Sequence, residues 1–285
     1  LAMAPYIAAS NEPVEIQASD VGLRMAPGGR VYIPPSIGGF VGSDHVAMVL
    51  GSELDQSDQV TLGLDIGTNT EISLRIPGQS ELIAVSCASG PAFEGAHIRD
   101  GMRAASGAIE KVRVSDRGLE LTTIDNLPAV GLCGSGILDA IAELYKHDYL
   151  NMQGRMNRTN DRINEGDHGW EFVLVPALKS GSGRDISITQ NDVNEIQLAK
   201  GAIQAGLNVL LKDSGTPPEA VQQVIVAGAF GSFLNIENAV AIGLFPQLPK
   251  AGYEQVGNAA AAGAHWMLVS RTARPRASEI ARRTR

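Results

Sequence analysis

One carboxylate at the lip of a tight turn is the clearest chemical feature of this sequence. Asp65 is followed by Gly67, Thr68, Asn69 and Thr70 in TLGLDIGTNTEISLRI, residues 61–76. Glycine at 67 admits a positive φ, so successive N–H groups of the turn can converge on an anion with no side chain in the way. Phosphate fits that role. Asp65 cannot bind phosphate itself, but as a hard oxygen ligand it can hold magnesium, or magnesium's waters, against one. A hairpin turn also needs Gly and Asn for geometry alone, so the rest of the chain has to decide.

Three further groups could do chemistry. Glu94 is a polar candidate near a phosphate or ribose, in a stretch that also holds His97, Arg99 and Asp100. Lys200 sits in an apolar stripe, Val193, Ile196, Ile203, Leu207 and Leu210, at the one place the stripe leaves unfilled. Either its stem packs and its ammonium snorkels outward, or it contacts a ligand. Gly228, Ala229, Phe230 and Gly231 form a loop with few side chains, against which a flat ligand could lie; a tight strand-to-helix turn would demand the same glycines.

The elements that must position these groups follow from periodicity. Leu62 and Leu64 lead into the turn, and Ile72, Leu74 and Ile76 alternate with Glu71, Ser73 and Arg75 on the way out, the period of a half-buried hairpin. Before it, Val31 to Ile33 reads as a short strand and Ser43 to Leu50 as a helix. After it come a strand at 82–85, a small-residue loop and helix carrying Glu94 through Asp100, and strands at 108–114 and 119–123. Gly131 to Tyr145 is a glycine-rich turn opening an amphipathic helix; its spacing does not suit a dinucleotide fingerprint. Residues 146–189 read as a polar, irregular inserted subdomain with a strand at 171–175. Thr189 and Asp192 have capping-box spacing for the long helix that carries Lys200. A buried strand at 221–226 leads into the glycine loop and a helix capped by Asn235. Gly252 to Val256 leads into NAAAAGAHWMLVS, an alanine-rich helix that must pack very closely on a neighbour.

Composition excludes several classes. A formal net charge of -8 argues against nucleic acid as the main partner. Basic residues crowd only the end, from Arg271 to Arg285, as a solvated helix face or frayed tail. The apolar runs are too short and glycine-rich to span a bilayer, and no signal peptide opens the chain, so the expectation is a soluble, cytoplasmic protein. Cys87 and Cys133 lack metal-ligand spacing and cannot alone hold an iron–sulfur cluster. They are expected to be small buried residues.

The order of these pieces resembles the second half of the ATPase domain shared by acetate and sugar kinases, heat-shock chaperones and actin, in which two ribonuclease-H-like lobes clamp magnesium-ATP. More closely, DIGTNTEI, SCASGPAFEGAHIRDGMRA, GLCGSGILD, ITQNDVNEIQLAKGAI, VIVAGAFGSF and VGNAAAAGA resemble the C-terminal region of the reductive activators of corrinoid proteins, over roughly residues 10–270. The resemblance implies an α/β, ribonuclease-H-like (actin-like ATPase) fold, a mixed sheet flanked by helices with an inserted irregular subdomain. It assigns 1–59 to the end of a first lobe and a crossing helix, 60–270 to the second lobe and 271–285 to a basic tail.

The resemblance also implies a function. Such activators use ATP to drive reduction of a corrinoid protein from cob(II)alamin to cob(I)alamin, with electrons from a 2Fe–2S cluster on a separate ferredoxin-like domain. Asp65 would hold magnesium, Gly67, Thr68, Asn69 and Thr70 the phosphates, and Gly228, Ala229, Phe230 and Gly231 the adenosine; Lys200 and Glu94 would approach the nucleotide. The family's clamp needs an earlier hairpin of the same kind and cluster cysteines, neither of which this sequence contains. The expectation is therefore a piece of a longer protein, inactive in hydrolysis on its own, whose partners are a corrinoid protein, the remaining half of its own chain and a second copy in a homodimer. Alternative readings are an activator of a 2-hydroxyacyl-CoA dehydratase, a small-molecule kinase lobe, or a docking and dimerisation module.

Overall fold

The computed structural model describes residues 12–116, 118–228 and 230–285. The chain opens with a two-stranded antiparallel ribbon, β1 (Val14–Gln17) and β2 (Arg30–Ile33), followed by helix α1 (Ser43–Gly51). Then come the hairpin strands β3 (Thr61–Ile66) and β4 (Thr70–Arg75) and a third strand, β5 (Leu82–Cys87). A side sheet follows, made by β6 (Ala108–Ser115), β7 (Gly118–Thr123) and the short β8 (Gly131–Leu132), and leads into α2 (Gly134–Lys146). Strands β9 (Ile163–Gly166), β10 (Gly169–Val175) and β11 (Ile186–Thr189) precede the long helix α3 (Gln190–Asp213). The chain ends with β12 (Gln223–Ala227), α4 (Ile236–Ala241), β13 (Gly252–Gly257), α5 (Ala259–Val269) and α6 (Ala273–Arg283).

The central sheet has the order β13-β12-β3-β4-β5. β3, β4 and β5 form an antiparallel meander, and β12 and β13 add to its β3 side in parallel. That is the mixed ribonuclease-H-like sheet the sequence predicts. Successive side chains on a strand point to opposite faces, so each strand serves two cores. Leu62, Leu64, Ile66, Ile72 and Leu74 pack under α2 and α3. Ile225 and Ala227 face the other way, toward α1, α5 and α6.

The face under α1 is closely packed. A Cβ on Gly263 would lie 1.9 Å from Ala47 O, and one on Gly51 would lie 2.1 Å from Ala259 O, so α1 and α5 touch backbone to backbone. The close approach expected of the alanine-rich helix is therefore made against α1. The basic tail is not frayed. Ala273, Ala277, Ile280 and Ala281 are buried in the same cluster, and Arg276 grips Asp55 with bonds of 2.9 and 2.6 Å. Arg285 extends the structure past α6, its N–H donating to Leu82 O and its carbonyl accepting from Ala84 N along β5.

The helix expected around Glu94 does not form. Pro91–Glu94 makes one 3-10 turn, and positive φ at Gly95 (84°) and His97 (65°) stops a right-handed helix from continuing. Asp192 Oδ1 takes the N–H of Arg99, and the Asp100 carbonyl accepts from Leu132 N at 2.8 Å, so distant segments satisfy what a local helix would have. The polar 146–189 stretch carries the sheet β11-β10-β9, whose Ile163, Phe172, Leu174, Ile186 and Ile188 join the main core. The capping box at α3 is present as read, with Thr189 and Asp192 bonding each other's backbone.

Candidate functional site

The β3–β4 turn is pinned from below. Thr70 is buried, and its hydroxyl pairs with Ser89 Oγ at 2.8 Å. Ser89 also donates to Gly67 O, and Gly90 N donates to Thr68 O at 2.8 Å. The hydroxyl of Thr70 therefore serves the turn's underside. Gly67 is not in the left-handed region, so its role here is not a positive φ; a Cβ there would meet Asn69 O at 3.3 Å. Thr68 and Asn69 are exposed at the tip, and the Thr68 hydroxyl donates to Glu94 Oε1. Glu94 thus stands beside the turn although its segment is not helical.

The glycine loop after β12 closes on the same place. Gly228 has a φ of 95°, and a Cβ on it would lie 2.7 Å from Ile66 O and 3.0 Å from Asp65 Oδ1. Only glycine permits both that backbone angle and that approach. Gly231 instead packs toward the sheet, where its Cβ would meet Val226 Cγ1 at 2.9 Å. Ala229 lies outside the described residues.

Beside this contact is a cavity of about 330 Å³. Glu94, the start of α2 at Cys133, Gly134 and Ser135, and the rings of Phe93, Phe230 and Phe233 line it. Phe230 stacks on Phe93 with ring centroids 5.1 Å apart and packs over Gly134. The volume and aromatic walls suit a flat, mostly apolar ligand with polar groups at one end. The glycine-rich start of α2 was not assigned to the site from sequence; Gly134 is what lets Phe93 and Phe230 approach so closely.

Carboxylates gather on the α1 side of the sheet. Burial, with repulsion from Asp44 in the first turn of α1, pushes Asp65 up to about 6. Glu71 lies opposite Asp65 across the hairpin and accepts from Ser86 Oγ at 3.0 Å. Burial raises it to about 7, opposed by that bond and supported more weakly by the neighbouring Asp44 and Asp65. Neither Asp44 nor Glu71 stood out in the sequence, although the two-residue period already puts Glu71 on the face of Asp65. Among the described residues no group of three or more acidic, histidine or cysteine side chains makes a metal cage. Magnesium at phosphate sites usually takes only one or two carboxylates, with phosphate and water supplying the rest, and a crowded, desolvated Asp65 fits such a cation.

The structure does not bring Lys200 to this site. Its ammonium donates to Ile242 O at 2.9 Å and lines a different cavity. Cys87 and Cys133 are both buried and free, as expected of small core residues.

Comparison with known proteins agrees with this geometry. Residues 59–285 match the family described as the C-terminal domain of RACo, the ASKHA domain, and residues 1–57 match the RACo middle region. The chain belongs to this family. The ASKHA domain, the class shared by acetate and sugar kinases, chaperones and actin, is one that binds ATP. A solved structure of a reductive activator for corrinoid, iron-sulfur protein superposes with a TM-score of 0.90 at 41% identity, over 99% of this chain and 45% of that one. The corrinoid activation enzyme RamQ of Eubacterium limosum is 35% identical, over 95% of this chain and 46% of RamQ. A [Co(II) methylated amine-specific corrinoid protein] reductase of Methanosarcina barkeri is 28% identical, over 89% of this chain and 47% of that protein. The chain thus spans about half the length of the relatives it matches. No helix among the described residues is long and apolar enough to cross a membrane.

Proposed function

We propose that this RACo-family chain supplies one side of a magnesium-ATP clamp in a protein that drives reduction of a corrinoid protein from cob(II)alamin to cob(I)alamin. The observation that carries the reading is the approach of Gly228 to the desolvated carboxylate of Asp65, beside which lies the aromatic cavity walled by Phe230.

The roles follow from charge. ATP hydrolysis depends on positioning and electrostatic stabilisation more than on covalent chemistry by the protein. Asp65 would hold magnesium, directly or through its waters, and the bound metal would neutralise phosphate charge. The exposed amides of Thr68 and Asn69 would meet the β- and γ-phosphates, with Gly67 shaping the turn. The Thr68 hydroxyl, now on Glu94, would be free to turn to an oxygen of the ligand, leaving Glu94 for the ribose. The adenine would enter the cavity walled by Phe93 and Phe230.

Reduction of the corrinoid takes one electron, which on this reading comes from a 2Fe–2S cluster carried elsewhere in the protein. Closure over nucleotide gives different contacts in two states, and that difference can bias the grip on the corrinoid protein. We place the activity in the cytoplasm, in a protein that pairs with a second copy of itself. The test is ATP-dependent formation of cob(I)alamin by the full-length protein. Asp65→Asn should abolish the ATP dependence with the fold intact, and wild-type ATP turnover in that variant would overturn the assignment.

A further inference from the structure

The cavity that takes Lys200 is separate from the nucleotide site. It has a volume of about 570 Å³ and lies between the end of α2, the first half of α3 and the chain following α4. The proposed nucleotide cavity meets α2 at Cys133 to Ser135, whereas this one meets it at Ile141 and Tyr145. At about 1.5 Å of rise per residue, the two lie roughly 10 Å apart along that helix.

Its walls are mixed: Ile141, Val193, Ile196, Val240 and Phe245 form an apolar side, Asn151, Gln197 and Gln247 add amides, and no acidic residue is among the described residues that line it. Among the described residues that line it, Lys200 is the only charged one. The ammonium is held by Ile242 O at 2.9 Å, and beside it Gln204 Nε2 donates to Gly243 O at 2.8 Å. Among the described residues no carboxylate lies within salt-bridge distance of Lys200, so its charge has no counterion among them. An ammonium has three donors, and one bond to a carbonyl leaves capacity for an anion. A leucine would complete the stripe of α3; the sequence puts a cation there instead.

The cavity adjoins a polar groove through Leu150 and Asn151. Arg155 and Arg158 line that groove, with Asp148 its single acid. We propose that the Lys200 cavity binds a small amphiphilic anion, its apolar body between α2 and α3 and its charged head on the ammonium. The size is within the range of small-molecule sites, and one fixed cation beside an apolar wall, with uncharged amides around it, is an arrangement that orients such a ligand. The contrasting possibility is a lysine that merely ties the end of α4 to α3, which would give the cavity no preference for charge.

The test is a dye titration of the full-length protein with 8-anilinonaphthalene-1-sulfonate and its uncharged counterpart, N-phenyl-1-naphthylamine. In Lys200→Met the sulfonate should bind about tenfold more weakly, while the neutral dye changes by less than about twofold. Lys200→Arg should keep sulfonate affinity. Equal sulfonate binding by wild type and Lys200→Met, or an equal loss of both dyes, would overturn the proposal. A variant-free measurement guards against Lys200→Met failing to fold. In the wild type, octanoate should displace the sulfonate dye about tenfold better than octanol does, and equal displacement would count against an anion site.

Discussion

Asp65 and Glu71 face each other across the β3–β4 hairpin, and the pleat turns both carboxyls to the α1 side of the sheet, where Asp44 adds a third negative charge. The three carboxylates repel one another there. A cation would relieve that repulsion, and so would removing a carboxyl.

Asp65→Asn should separate these two roles. Losing the proposed ligand to magnesium is expected to lower ATP turnover of the full-length protein by about 10²–10³-fold, the scale of losing one preorganised electrostatic contact in a catalytic site. Without nucleotide, the same variant should melt at or above the wild-type temperature at neutral pH, because the ionised carboxylate is disfavoured in the folded protein. Calorimetric scans with and without magnesium-ATP check both halves.

Glu71→Gln tests the pH dependence of the pair. Folding raises Glu71 from an ordinary 4.5 to about 7 and Asp65 from 3.8 to about 6. A raised carboxyl costs no stability while protonated in both states, below its unfolded pKa, and costs progressively more as pH rises through its folded value. Wild type and Glu71→Gln should therefore converge near pH 4. Above pH 7 the variant should melt higher by about 2–6 °C, a shift of one to two kcal/mol in a chain of this size.

His45 works in the opposite direction. It is buried under the sheet with Nε2 2.6 Å from Ser73 Oγ, and burial holds it down to about 4 despite the attraction of Asp44. A depressed histidine supports the fold fully above its ordinary 6.5 and loses that support as pH falls toward 4. Because this slope opposes that of the carboxyls, the wild-type profile alone cannot resolve it. His45→Gln, which does not titrate, should be less stable than wild type by about 1–2 kcal/mol at pH 8. The gap should narrow steadily between pH 6.5 and 4.

What the sequence revealed of this arrangement depended on how local the cause was. The hairpin was legible because alternation and turn residues act within a few positions. The order of hairpin, long helix, glycine loop and closing helix was enough for the fold. The segment around Glu94 misled because Asp192 and Leu132 take part in its backbone bonding across long stretches of chain. Lys200 was visible as an anomaly in its stripe, yet only the folded chain shows that the gap opens on Ile242 and a separate cavity. Asp44 gained its importance from the crossing of α1 under β3 and β4, which no spacing in the sequence encodes.

Gly263→Ala tests the contact between α1 and α5. The added Cβ would sit 1.9 Å from Ala47 O, a backbone atom that cannot turn aside, so the helices must separate. The expected cost is about 2–4 kcal/mol, at the upper end for overpacking. An unchanged melting temperature would mean that the two helices are not in backbone contact in solution.

Gly228→Ala makes the sharper test of the site. The new methyl needs a φ of 95° and points at Ile66 O and Asp65 Oδ1, so the loop must swing away from the hairpin. The loop lies at the surface end of β12, and most of the core does not depend on it. The melting temperature should therefore fall little, while nucleotide affinity of the full-length protein drops by about tenfold or more, the equivalent of one lost contact of 1.4 kcal/mol. Gly231→Ala provides the control. Its Cβ would press on Val226 in the sheet, so that variant should lose stability first and affinity only in proportion. The opposite pattern in the two variants would place the ligand away from the Asp65 and Gly228 contact.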